Sequence, residues 1–131
     1  MKKDCIAEVI ELHQFFETWL SGKSEQSQQT FARLSDSLDE QFLMINPDGV
    51  QVQKKALCDQ LWQAHGSAPA HFKIEITNAD CRLLDDSLAI VNYQEWQTGS
   101  DQTCRISSAI FKKERDRLIW LQVHETWVQE R

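Results

Sequence analysis

Leu88–Gln97 (LAIVNYQEWQ), Gln102–Lys113 (QTCRISSAIFKK) and Leu118–Gln129 (LIWLQVHETWVQ) are three β-patterned runs that follow one another with only short polar turns between them. Their β-branched and aromatic content and their spacing predict an antiparallel meander. Just upstream, Phe72, Ile74 and Ile76 alternate with Lys73, Glu75 and Thr77, which predicts a further strand with one wet face. Its pairing is expected to resume at Cys81–Leu84 after an irregular Asn78-Ala79-Asp80, before Asp85-Asp86 turns the chain.

The half that precedes this meander reads as helices. Ile6, Val9, Ile10, Leu12, Phe16, Trp19 and Leu20 recur at helical spacing after Asp4, a candidate N-cap, and Gly22 closes the run. A second helix fits Ser27 to about Leu38, with Ser27 as cap and Phe31, Leu34 and Leu38 on one face. Phe42–Ile45 is a short strand, Asn46-Pro47-Asp48-Gly49 a tight turn, and about Gln53 to His65 a third helix closed by Gly66. Helices first and strands after predict an α+β fold, three helices packed on a curved antiparallel sheet whose concave face can line a pocket. No linker or internal repeat interrupts residues 1–131, so one domain is expected.

Charge and motifs exclude several classes of function. Twenty acidic residues against 14 basic ones give a net charge of −6, and the cations are scattered. Nucleic acid and anionic membranes are therefore not expected partners. Acidic residues interrupt the N-terminal run, and no apolar stretch approaches the roughly twenty residues of a membrane span, so a soluble cytoplasmic protein is expected. Cys5, Cys58, Cys81 and Cys104 form no C-x-x-C pair and are read as reduced, mostly buried thiols. His13, His65 and His71 lack ligand spacing, so no metal is expected. The four glycines form no phosphate-binding loop, so no cofactor is expected, and Ser107-Ser108 lacks the setting of a nucleophile.

Phe42-Leu43-Met44-Ile45-Asn46-Pro47-Asp48-Gly49, Arg105-Ile106-Ser107-Ser108-Ala109-Ile110-Phe111 and Trp120-Leu121-Gln122-Val123-His124-Glu125-Thr126-Trp127 carry a resemblance to a known family. In this element order they resemble the nuclear transport factor 2-like superfamily, within it the SnoaL-like group that includes domain of unknown function 4440 and the association domain of calcium/calmodulin-dependent kinase. The resemblance spans nearly the whole chain. It implies a cystatin-like cone wrapped around the first helix, a pocket and often a homodimer. Where the superfamily's isomerases place a Tyr on the first helix, this chain has His13, Phe16 and Trp19. The kinase association domain has a pocket Arg at about the point of Arg105, which favours an inward Arg105.

With hairpin turns near Arg115 and near Ser100 and strand partners of equal parity, one sheet face resolves into layers. These are Ala89, Phe111 and Ile119, then Val91, Ala109 and Leu121, then Tyr93, Ser107 and Val123, then Glu95, Arg105 and Glu125, with Trp127 beyond. The face runs from apolar to polar, as expected of a cone with a packed tip and a lined mouth. Arg105 between two carboxylates can hold both ionised, or release one as a general base when a ligand anion takes its place. Standing in water at a sheet edge, the same residues would be a charge ladder contributing about 1 kcal/mol or less per pair. A slip of one residue would put His124 in place of Glu125.

The resulting expectation is a protein that binds a small organic molecule bearing a carboxylate, with Arg105 as anion anchor, Tyr93 orienting the ligand, and Ser107, Trp127 and Trp19 around it. One alternative is a cofactor-independent isomerase, cyclase or dehydratase with Glu95 or Glu125 as general base. Another is a dimeric assembly module with a vestigial pocket, working through the opposite face at Ile106, Trp120, Gln122 and His124.

Overall fold

A computed structural model gives the structure of residues 1–99 and 101–129. The elements run α1 (Lys2–Leu20), α2 (Gln28–Ser35), β1 (Leu38–Ile45), β2 (Gln51–Gln53), α3 (Lys54–Gln63), β3 (Lys73–Leu83), β4 (Leu88–Thr98), β5 (Thr103–Glu114) and β6 (Arg117–Trp127). The strands form one curved, unclosed sheet in the order β2-β1-β6-β5-β4-β3, with the helices against its concave side. All neighbours are antiparallel except β1 and β6, which run parallel. The α+β cone expected from the sequence is the fold.

α1 owes its course to a stripe of Cys5, Val9, Leu12 and Trp19, each at most 2% exposed, which faces the core. It begins at Lys2, two residues before the expected cap, so Asp4 lies within the first turn, where its charge suits the helix dipole. It ends in paired bonds from Lys23 N–H to Thr18 O and from Gly22 N–H to Trp19 O, with Gly22 at φ 76°. A Cβ on Gly22 would stand 3.2 Å from the Cα of Gly66, so the ends of α1 and α3 meet backbone to backbone. Ser27 caps α2, its side chain accepting from Thr30 N–H at 3.1 Å.

Two irregularities shape the sheet. β3 shifts register between Thr77 and Asp80, with Asn78 at φ 54°, where the sequence predicts a break. β6 carries a bulge at Leu121, because Gln122 pairs with Ile110 while Trp120 pairs with Phe111. That extra residue reverses which face each part of β6 presents. Trp120 therefore points into the cone and is 1% exposed, which corrects its expected place on an outer dimer face. The layers that sequence parity gave to Ile119 and Leu121 belong instead to Trp120 and Val123, opposite Phe111 and Ala109. The β5–β6 hairpin turns at Arg115, φ 58°, as expected, and the turn expected near Ser100 lies outside the described residues. Among the described residues no helix is long and apolar enough to cross a membrane.

Candidate functional site

Strand alternation turns Ala89, Val91, Tyr93 and Glu95 of β4 into the cone, and all four are buried. On β5, Ser107, Ala109 and Phe111 sit directly opposite Tyr93, Val91 and Ala89, and Arg105 sits opposite Glu95. On β6, Glu125 lies opposite Ser107, and Trp127 opposite Arg105. The expected layer of Glu95, Arg105 and Glu125 is thus staggered by the Leu121 bulge. Arg105 still reaches Glu125 diagonally, Nη1 donating to Oε1 at 3.3 Å.

These groups edge a cavity of about 190 Å³ between sheet and helices. Six of its lining side chains are polar, namely His13, Tyr93, Glu95, Gln97, Arg105 and Glu125, and twelve are apolar, among them Leu12, Phe16, Leu57, Leu61 and Trp120. A pocket with apolar walls and a few convergent polar groups is the usual form of a small-molecule site.

His13 is the component that sequence reasoning missed. It lies one helical turn after Val9 on the buried side of α1, and its Nδ1 donates to Val9 O at 2.7 Å. A carbonyl only accepts, so Nδ1 carries a proton. Nε2 meets Glu95 Oε1 at 3.1 Å, with both side chains at most 6% exposed. Burial would push Glu95 up, but the charge and hydrogen bond of His13, aided by Arg105 and by Gln97, hold its carboxyl down at about 2. Burial also opposes a charged His13, yet Glu95 outweighs it and His13 titrates above its usual value. The two form a closed ion pair. Glu95 Oε2 is occupied as well, accepting from Gln97 Nε2 at 2.7 Å. Each oxygen of Glu95 thus accepts one hydrogen bond, and its low pKa makes it a weak base.

Glu125 is placed differently. Burial, followed by the charge of Glu95, raises its pKa, while Arg105 and His13 pull only partly the other way. Burial raises Tyr93 well above the usual phenol range, with Glu95 and Glu125 adding to the effect, so its hydroxyl stays protonated. Its ring meets that of His13 edge-on at 5.4 Å. Arg105 Nε is buried without a hydrogen-bond partner among the described residues. The guanidinium carbon lies 4.7 Å from the centre of the Trp127 ring, whose Nε1 donates to Asp48 in the turn after β1 at 3.0 Å.

Of the other expected ligand-binding residues, Ser107 is 1% exposed and does not line the cavity. Trp127, 37% exposed, covers Arg105 from outside and does not line the cavity. Trp19 is corrected: it is wholly buried beside Phe15, Phe31, Trp62 and His65, and donates Nε1–H to Leu61 O at 2.7 Å. Its neighbours on α1, Leu12, His13, Phe16 and Leu20, reach the cavity instead. On the opposite face of the sheet, Ile106 is 46% exposed and His124 is exposed, with Gln122 half-buried.

Residues 5–129 match the family described as the sucrose-6-phosphate phosphohydrolase C-terminal domain. A probable sucrose-phosphatase 2 of Arabidopsis thaliana is 29% identical over 128 residues, which cover 94% of this chain. The match takes in 30% of that relative, so the chain spans about a third of the length of the curated relatives it matches. Among solved structures, a nuclear transport factor 2-like protein of unknown function from Pseudomonas aeruginosa is similar at a TM-score of 0.87 and 26% identity, over 94% of this chain and 97% of that one. The calcium/calmodulin-dependent kinase II hub homology domain of Chlamydomonas reinhardtii shares the fold at a TM-score of 0.71 and 15% identity, over 95% and 99%.

Proposed function

Because this chain belongs to the sucrose-6-phosphate phosphohydrolase C-terminal family and has a nuclear transport factor 2-like fold, whose members differ in what they do, we propose a function from the pocket itself: it binds a small, largely apolar organic molecule through one carboxylate. The observation that carries this reading is Arg105, a guanidinium at the cavity wall whose Nε is buried and, among the described residues, unpartnered, and whose one side-chain hydrogen bond there is to Glu125 at 3.3 Å. A carboxylate docking on that fork would satisfy the orphan donor and gain the bidentate geometry Glu125 lacks. The walls set the rest of the ligand. A cavity of about 150 Å³ holds a benzene ring, so the 190 Å³ here suits a six-carbon body. A disaccharide phosphate, as named for the curated relatives, is larger and would leave its hydroxyls against leucine and phenylalanine.

Benzoate is a suitable probe. Calorimetric titration should give binding that weakens about tenfold or more in Arg105→Met, the scale of a lost charged hydrogen bond, and benzamide should bind comparably weakly. Equal affinity of the wild type and Arg105→Met for benzoate would refute the anchor.

The raised pKa of Glu125 favours a second reading, catalysis without a cofactor. Glu125 would move a proton on a bound carbonyl compound while Tyr93 donates a hydrogen bond to the developing oxyanion, in an isomerisation, cyclisation or dehydration. Solvent deuterium exchange at the α-carbon of bound ketones, lost in Glu125→Gln, is the expected signature. Absence of exchange in the wild type across a panel of such ketones would count against it. For the outer face at Ile106, Gln122 and His124, we propose contact with a second copy of the chain, which the similarity to a hub homology domain supports. Sedimentation should then show Ile106→Glu shifted toward monomer, and a strictly monomeric wild type at micromolar concentration would sink the idea.

A further inference from the structure

We propose that the pocket takes up its carboxylate together with one proton, which Glu125 accepts. This rests on the reading of Arg105 as anion anchor and adds to it the charge state of the bound complex.

The charges and available donors around the cavity set what a bound anion can do. His13 and Arg105 are the cations at the cavity, Glu95 and Glu125 the anions. The empty pocket is therefore balanced. His13 and Glu95 form a mutually neutralised unit, since Nδ1 is held by Val9 O, Nε2 by Glu95 Oε1, and Glu95 Oε2 by Gln97. His13 has no donor left to offer, and the adjacent His13 charge holds Glu95 ionised. Among the described residues Arg105 has spare donor capacity, and its hold on Glu125 is one long contact. A ligand carboxylate on Arg105 places three carboxylates beside two cations in a cavity walled mainly by hydrocarbon. One of the three must take a proton or be expelled.

Glu125 is the group least able to stay charged. It is faced by Arg105 and Ser107 from β5, by Tyr93 and Glu95 across the sheet on β4, and by His13 from α1. The adjoining strand β1 sets Met44 and Ile45 beside Val123 and His124, and α3 presents Leu57 and Leu61 at the cavity. Neither element brings a cation to Glu125. Once the ligand occupies Arg105, the 3.3 Å bond that favours the ionised form is shared or broken, while burial and the charge of Glu95 remain. The raised pKa of the free protein points the same way.

The test is calorimetry of wild-type protein with benzoate at fixed pH in buffers of different ionisation enthalpy, such as Tris and PIPES, repeated over a pH series. Uptake approaching one proton per benzoate is expected at pH values above the titration of free Glu125, with affinity falling toward tenfold per pH unit there. Glu125→Gln should bind benzoate with no proton uptake and with affinity independent of pH. Benzoate binding without uptake in the wild type overturns the proposal and leaves the Arg105 anchor standing, as does uptake that persists in Glu125→Gln. No benzoate binding at any pH removes the anchor, and this inference with it. Should Glu125→Gln fail to fold, carboxyl-carbon NMR of the wild type decides: Glu125 must move to the protonated shift on adding benzoate, and an unchanged signal refutes the idea.

Discussion

Replacing His13 by Ala should cost this fold about 3–5 kcal/mol near pH 7, because removing one partner leaves a buried charge unmatched. The wild-type pair sets the scale. Glu95 falls from an ordinary 4.5 to about 2, and at about 1.4 kcal/mol per pH unit this is about 3 kcal/mol of folding stability. Both side chains are at most 6% exposed, so solvent screens little of it. A carboxyl depressed in the folded state stabilises fully above its unfolded pKa and loses that contribution as pH falls from about 4.5 toward 2. His13, raised in the folded state, acts in the opposite sense: its contribution is complete below the unfolded value near 6.5 and fades as pH rises through the folded one. In His13→Ala only Arg105 and the Gln97 hydrogen bond remain to oppose burial at Glu95, which protonates more readily and has less to lose in acid. Urea unfolding of both proteins from pH 3 to pH 9 should show a gap widest near neutrality and narrower by about 2 kcal/mol at pH 3. A gap below about 1 kcal/mol at pH 7, or one independent of pH, would refute the ion pair. A His13→Leu, Glu95→Met double variant should recover most of the loss, because well-packed apolar replacements of a buried pair are often neutral.

Gly22→Ala should destabilise by about 1–2 kcal/mol, since φ 76° is strained for alanine and its Cβ would press on Gly66 Cα at 3.2 Å. Gly49→Ala, also left-handed but with nothing within 4 Å, should cost less, and thermal unfolding of the two variants checks the order. Ser27→Ala removes the acceptor for Thr30 N–H and should cost about 1 kcal/mol in urea, whereas no change would mean the α2 cap is idle.

Much of the fold was legible because local periodicities report burial. Ser27 as cap, the break in β3 near Asn78, the turn at Arg115 and the closure of α1 at Gly22 all follow from residue chemistry acting over a few positions. The parallel seating of β1 on β6 was not legible, since a short apolar run carries no information about the direction of a neighbour. The site was legible by half. Alternation groups Tyr93 with Glu95, and Arg105 with Ser107, on one face each, but His13 had no motif to announce it. Its signal was its place on the buried stripe of α1, one turn beyond Val9, where an ionisable side chain needs a partner.

The amino-acid sequence by itself determined the order of helices and strands, the alternation of each strand and the presence of ionisable residues at inward positions, because these depend on residues a few places apart. Tertiary structure alone decided that His13 would meet Glu95, 82 residues away, and that the Leu121 bulge would turn Trp120 inward and stagger Glu125 against Arg105. Register across a sheet and contact between helix and strand are settled by the packing of the whole core, and a single inserted residue in β6 is enough to reverse which side chains meet.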